Sequence, residues 1–260
     1  MSDTAPTLPA DAPSTPEIVL EMRDVHAAYH GDISILNGLS LKARRGQITG
    51  IIGPNGAGKS TALKTLYGFL RPTKGEILHR GEPVNQLQPW DMVTRGVSFV
   101  PQNRSLFNDL SVEDNLRLGC WNFRRDTARM QQGLARIYDM FPILAEKRKD
   151  LAGSMSGGQQ RFLELGRSLI LEPEVVLLDE PTAMIAPKIS RELYDFIRDL
   201  PAKGVTVVLV DQNVRQCVEV SDHVYVLDLG RTRAEGDRAQ FGDDADLRAM
   251  IQEWLDYQID

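Results

Sequence analysis

Residues 154–182 read SMSGGQQRFLELGRSLILEPEVVLLDEPT. Ser156, Gly157, Gly158 and Gln159 stand where a helix opens, and Phe162, Leu165 and Leu169 recur behind them on one helical face. The apolar run Val175, Val176, Leu177 and Leu178 then delivers two acids, Asp179 and Glu180, with Pro181 after them. Helix followed by a wholly apolar strand predicts α/β order, with a mostly parallel sheet covered on both faces. Ser156 alone would be an ordinary N-cap. Two consecutive glycines weaken a first helical turn. They make sense where an anion must approach the backbone at a helix N-terminus. The stretch therefore predicts a phosphate clamp and, at the carboxyl end of a strand, two acids on the edge where such sheets bind ligands.

A further phosphate site lies upstream. Gly53, Pro54, Asn55, Gly56, Ala57, Gly58, Lys59, Ser60 and Thr61 fit G-x-x-x-x-G-K-[ST]. They lie between an apolar strand, residues 47–53, and helical spacing over residues 61–69 that ends before Pro72. Gly56 and Gly58 let backbone N–H groups turn inward around an anion. Lys59 would reach the β- and γ-phosphates, and the Ser60 hydroxyl would ligate Mg²⁺. Asp179 suits an outer-shell Mg²⁺ contact. Glu180 can accept a proton from an attacking water. One chain makes one γ-phosphate cradle, so the clamp at Ser156–Gln159 is expected to serve a nucleotide bound to another subunit.

The surroundings agree with a nucleotide machine. The chain has 260 residues, 42% apolar and 25% charged, enough for one large domain carrying a subdomain. A net charge of -6 argues against wholesale nucleic-acid binding. Cys120 and Cys217 have no metal spacing and read as free, reduced thiols. No apolar run is long enough to span a bilayer, and no secretory signal opens the chain. Residues 1–16, rich in Pro, Ala and Thr, read as a disordered tail. Strands are expected at 34–42, 76–78, 97–100, 205–210 and 224–228, and helices at 127–140, 156–171 and 190–200. Residues 103–153 form a charged, helical insertion between strands, opened by a capping pattern at Ser111 and Asp114. Residues 241–260 read as a helical extension, with the helix around 245–257. None of the four histidines has ligand or catalytic spacing.

These motifs together resemble the ATPase subunit of an ABC transporter, over about residues 18–235. The phosphate loop is similar to that family's Walker A, VVLLDE to its Walker B, and MSGGQ to its LSGGQ signature with Met155 in place of Leu. The resemblance implies a P-loop NTPase fold of the ABC ATPase type. That fold has a mostly parallel core sheet, an N-terminal antiparallel β subdomain and an inserted helical subdomain, with the ATPase domain spanning 17–240. It implies that Gln102 touches Mg²⁺ and the membrane partner, and that Tyr29 stacks on adenine. Within the family the chain looks most like LivF-type ATPases of branched-chain amino acid importers, on the segments at 140–142, 153–158, 185–187 and 210–213. Related importers for urea and other small amides share those segments. Two positions depart from the common pattern: Gln212 stands where most members carry a His at the γ-phosphate, and the loop at 183–187 ends in Pro187 instead of Asp. LivF-type relatives also have Gln there, and usually Gly where Met184 stands.

The implied function is ATP hydrolysis driving import. The implied partners are a second, non-identical ATPase subunit, transmembrane permease subunits and, indirectly, a periplasmic solute-binding protein, with no nucleic acid. The insertion would meet a cytoplasmic helix of the permease. The implied location is the cytoplasmic face of a bacterial inner membrane. A soluble ABC-type ATPase acting on nucleic acid or ribosomes is the reading from another class. The single cassette and the acidic balance weigh against it. A weakly catalytic regulatory subunit, suggested by Gln212 and Pro187, is the third.

Overall fold

A computed structural model of the chain describes residues 16–29 and 33–241. The expected N-terminal tail up to residue 15, His30 and the expected terminal helix at 245–257 lie outside the described residues. In chain order the strands are β1 (Ile18–Tyr29), β2 (Ile33–Arg44), β3 (Ile48–Ile52), β4 (Lys74–His79), β5 (Glu82–Pro83), β6 (Val97–Val100), β7 (Val175–Asp179), β8 (Thr206–Val210), β9 (His223–Asp228) and β10 (Arg231–Asp237). The helices are α1 (Lys59–Leu66), α2 (Pro89–Thr94), α3 (Val112–Gly119), α4 (Thr127–Met140), α5 (Pro142–Glu146), α6 (Gly157–Leu169), α7 (Pro187–Asp199) and α8 (Val214–Val220).

The strands form two sheets. One is antiparallel, in the order β2-β1-β4-β5. The other runs β10-β9-β3-β8-β7-β6, parallel throughout except for the edge strand β10. Strands β3, β7 and β8 are buried at every residue, which is why β7 and β8 each read as four consecutive apolar residues and β3 as mainly apolar. Their side chains alternate between two cores. Val176, Leu178, Val207 and Leu209 pack with the helical side of the molecule, including Leu116, Leu163 and Ile197. Val175, Leu177, Val208 and Val210 pack with α1 and the antiparallel sheet, including Leu63, Leu36 and Val25.

The chain between β6 and β7 is helical from Val112 onward, and its ends are stitched together. Val112 N donates to Asp150 O at 3.0 Å, Ala152 N to Leu110 O at 2.9 Å, and Gly153 N to Asn108 O at 3.0 Å. The signature helix α6 packs against both α3 and β6, so it bridges this helical layer and the core sheet. No helix among the described residues is long and apolar enough to cross a membrane. Both cysteines are buried and unbridged.

Several boundaries differ from expectation. Helix α1 ends at Leu66, ahead of residue 69, because Gly68 takes φ +86 and turns the chain before Pro72 can. Helix α7 begins at Pro187 instead of residue 190, since proline's fixed φ suits a first helical turn. Helices α2 and α8 are too short to announce themselves by period, and strand β10, RTRAEGD, alternates poorly.

Candidate active site

Four neighbouring strands of the parallel sheet end on one edge, and each hands the chain directly to a candidate residue. The phosphate loop follows β3, Gln102 follows β6, Asp179 and Glu180 end β7, and Asp211 and Gln212 follow β8. This is the ligand-binding edge of an open α/β sheet.

The phosphate loop turns through Gly56 at φ +83 and Gly58 at φ +99. Gly53 is needed for space: a Cβ there would sit 2.2 Å from Leu227 O on the adjoining strand. Lys59 is 6% exposed, and its Nζ donates to its own loop, to Gly53 O at 2.8 Å and Pro54 O at 2.9 Å. Burial lowers its pKa, against the pull of Glu180 and Asp179. Ser60 Oγ donates to Asp179 Oδ1 at 2.7 Å. Burial raises the Asp179 pKa, and the Ser60 bond works against that rise.

Glu180 is the meeting point. Its Oε2 accepts from Gln102 Nε2 at 2.5 Å and from Gln212 Nε2 at 2.8 Å. Two neutral amides from two different strand ends thus fix one carboxylate oxygen. Asp211, next to Gln212 and 2% exposed, accepts from Thr182 Oγ1 at 2.8 Å and Asn213 N at 3.0 Å. Burial raises the Asp211 pKa as well. A cavity of about 570 Å³ opens beside this cluster, lined by Glu180, Thr182, Asp211, Gln212 and Pro187 among others.

The structure therefore brings Lys59, Ser60, Gln102, Asp179, Glu180 and Gln212 to one edge. Asn55, Ala57 and Thr61 belong to the same loop and helix start, and Ala57 N closes a turn onto Pro54 O at 3.2 Å. Tyr29 is placed differently. It is half-buried at the end of β1, paired with Ile33 of the antiparallel sheet. That sheet reaches the loop through Leu36, whose Cδ2 would lie 3.1 Å from a Cβ at Gly58.

Ser156 and Gln159 form a reciprocal capping box at the start of α6. Gln159 Oε1 accepts from Ser156 N at 3.0 Å, and Ser156 Oγ accepts from Gln159 N at 3.4 Å. The two glycines differ. A Cβ on Gly158 would meet Ile189 Cγ2 at 2.6 Å, so close packing against α7 already demands glycine there. A Cβ on Gly157 would meet only the tip of Arg104, at 2.7 Å. The anion argument for paired glycines is thus independent of intrachain packing only at Gly157.

Sequence reasoning missed Arg161, Arg104, Thr182 and Asp211. Arg161 sits inside the quoted motif. Yet an Arg three residues ahead of a Glu on a helix reads as a solvated pair, and nothing in the spacing marks it as buried.

Comparison with known proteins gives the family and the fold. The ABC transporter family profile matches residues 36–183. A protein of Pseudomonas aeruginosa, the high-affinity branched-chain amino acid transport ATP-binding protein BraG, is 38% identical over 80% of this chain and 88% of its own length. The probable branched-chain amino acid transport ATP-binding protein LivF of Archaeoglobus fulgidus is 32% identical over 80% of this chain and 88% of its own. Among solved structures, an ATP-binding cassette of an ABC transporter superposes with a TM-score of 0.82 at 25% identity, over 90% of this chain and 98% of that one. Another cassette, solved as a dimer in a post-hydrolysis state bound to ADP and Pi, superposes with a TM-score of 0.75 at 23% identity, over 84% of this chain and 98% of that one.

Proposed function

The chain belongs to the ABC transporter family of ATP-hydrolysing subunits, and we propose that it is the motor of a membrane importer for branched-chain amino acids or a related small amino acid or amide. The ATPase reading is carried by one observation: Ser60 and Asp179, and beside them Gln102, Glu180 and Gln212, meet at the ends of adjacent strands. The solute class is supported by the likeness to BraG and LivF.

The proposed roles draw on the site's geometry and on the resemblance to the family. Backbone N–H groups of the 53–61 loop, Pro54 having none, cradle the phosphates, and the Lys59 ammonium leaves its own carbonyls for the β- and γ-phosphates. Ser60 and Asp179 offer a hydroxyl and a carboxylate within 2.7 Å of each other. These hard oxygen donors fit Mg²⁺, which takes few protein ligands and leaves room for substrate phosphates. Gln102 adds an amide oxygen to that set. When bound, Mg²⁺ neutralises charge developing on the phosphates. Glu180 takes the proton of the attacking water as its oxygen bonds to the γ-phosphorus. Gln102 and Gln212 orient that carboxylate, and Gln212 does so without a titrating group of its own. Tyr29 stacks on adenine. Ser156, Gly157, Gly158 and Gln159 face the phosphates of a nucleotide bound to a second, non-identical ATPase subunit.

The permease is the proposed partner of the groove between β6 and α3, lined by Tyr67, Phe99, Phe107 and Trp121. Phe107 and Trp121 are 55% and 60% exposed, an apolar surface suited to a partner helix. In this reading residues 103–153 form the coupling subdomain of a 17–240 ATPase domain. The chain works at the cytoplasmic face of the membrane, and the solute-binding protein acts through the permease.

Glu180→Gln tests the site. The variant keeps ATP affinity and loses turnover by about 10²–10⁴, measured on the assembled complex. Unchanged turnover removes Glu180 as the base.

A further inference from the structure

One face of α6 carries Arg161, Glu164 and Arg167, and the first two are 5% and 3% exposed. A guanidinium taken out of water is costly unless its donors are used. Those of Arg161 all are. Its Nε donates to Pro181 O at 2.7 Å, and its Nη1 to Pro101 O at 2.9 Å and Glu164 Oε2 at 2.8 Å. Its Nη2 donates to Glu180 O at 2.9 Å and, more weakly, to Gln102 O at 3.4 Å. Two of these carbonyls belong to the segment leaving β6 and two to the turn leaving β7. The side chains of Gln102 and Glu180 themselves meet at 2.5 Å.

The rest of the charged face grips the same segment. Glu164 Oε1 accepts from Ser105 N at 2.5 Å, and Arg167 donates to Ser105 O at 2.9 Å and Ser105 Oγ at 2.5 Å. Residues 101–105 are thus tied to α6 at both ends. The turn also needs holding. Glu180 takes φ +46, a region that non-glycine residues keep only where their surroundings over-determine it. Its N–H is fixed by Val210 O at 2.8 Å and its carbonyl by Arg161.

We infer that Arg161 is a positioning residue for hydrolysis: it locks the Gln102 segment and the Glu180 turn onto the helix that begins with Ser156–Gln159. The inference rests on Glu180 being the base, as proposed above. It makes the partner-facing end of α6 and this chain's own base parts of one rigid piece. A shift of α6 then moves Glu180 and Gln102 together.

Two variants of the full-length chain test it. Arg161→Lys keeps a charge opposite Glu164 but cannot span both loops. Arg161→Met with Glu164→Gln removes the buried pair together, so neither charge is stranded. The readouts are melting temperature, affinity for a fluorescent ATP analogue, and the KM and kcat of ATP turnover. Affinity and KM are expected to stay within about threefold, because the phosphate loop is untouched, while kcat falls roughly 20- to 100-fold, the scale of a base misplaced by about 1 Å. Adding Gln102→Ala to Arg161→Lys is expected to cost far less than it does in the wild type, since both act on one arrangement. Amide exchange at Ser105 and Glu180 is expected to rise in Arg161→Lys. Turnover within threefold of wild type in either variant overturns the inference. So does a parallel loss of affinity and kcat, or full additivity with Gln102→Ala. The base assignment fails separately, through unchanged turnover in Glu180→Gln.

Discussion

At the scale of the residue, the edge of the sheet holds its carboxylates against their solvation preference. Asp179 is 2% exposed, and burial raises its pKa. The sign of the consequence is fixed by linkage. A carboxyl whose folded pKa lies above its unfolded value binds more protons in the folded state, so its stabilising share is present at low pH. That share is lost as pH rises through the folded pKa. In its ionised form Asp179 is therefore a strained charge in the nucleotide-free protein, suited to a cation that arrives with substrate. Asp179→Asn keeps an oxygen for the Ser60 hydroxyl and removes the charge. It is expected to stabilise the nucleotide-free chain at pH 7.5 by about 1 kcal/mol, a rise in melting temperature of about 2–4 °C. The advantage shrinks as the pH is lowered from 7.5, because burial favours the protonated form of wild-type Asp179. Mg²⁺-dependent turnover is expected to be lost in the same variant. Calorimetry from pH 7.5 downward, with and without MgATP, measures both, and a variant no more stable than wild type at pH 7.5 refutes the strained charge.

At the scale of the element, α6 has two jobs that the sequence shows unequally. Its start was legible, because Ser156 stands as an N-cap ahead of two glycines and Phe162, Leu165 and Leu169 set the period. Its reach across the molecule was not, because burial of Arg161 and Glu164 depends on where residues 101–105 and 180–181 arrive from other strands. The contact with α7 is likewise a product of folding. Gly158 lies under Ile189, where a Cβ would stand 2.6 Å from Cγ2 and 3.2 Å from Cβ of that side chain. Gly158→Ala is expected to cost about 1–3 kcal/mol through overpacking. Gly158→Ala with Ile189→Ala is expected to recover more than half of that loss, because the two changes share one contact. Thermal unfolding of the two single variants and the double variant measures the coupling. Simple additivity would show that Gly158 is not required by α7. The strands were read well where both faces are buried, as in β3, β7 and β8. Strand β10 was missed because it alternates poorly, and α8 because seven residues give barely two turns of period.

At the scale of the whole molecule, the order of strands and the phosphate edge follow from apolar runs and glycine spacing, so they were legible. The joint between the two sheets was not, since it depends on charges far apart in the chain. Glu174, just ahead of β7, stands at the end of the sheet remote from the phosphate loop. Its carboxylate takes Arg80 in a two-pronged contact at 2.7 and 2.9 Å and Arg45 at 2.8 Å, with His79 Nε2 at 3.5 Å. Arg45 and Arg80 follow the strands of the antiparallel sheet, while Glu174 N and O bond Gly96 and Thr206 of the parallel one. One carboxylate therefore pins one sheet to the other. Both arginines are about half exposed, so the pin is worth less than a buried pair. Glu174→Gln is expected to cost about 1–2 kcal/mol at pH 8, a fall of about 2–8 °C in melting temperature. His79 sets the pH dependence. Burial lowers its pKa, and Glu174 opposes that. A histidine with a depressed folded pKa contributes stability that is complete above its ordinary value near 6.5 and erodes as pH falls through the folded pKa. Without Glu174 that pKa drops further, so the gap between variant and wild type is expected to widen from pH 8 to pH 5.5. ATP affinity, read by titration of the same samples, is expected to stay unchanged, because the joint lies at the opposite end of the strands from Lys59 and Ser60. A gap that closes in acid, or an ATP affinity that falls with the melting temperature, would show that the joint is not what holds the two sheets in place.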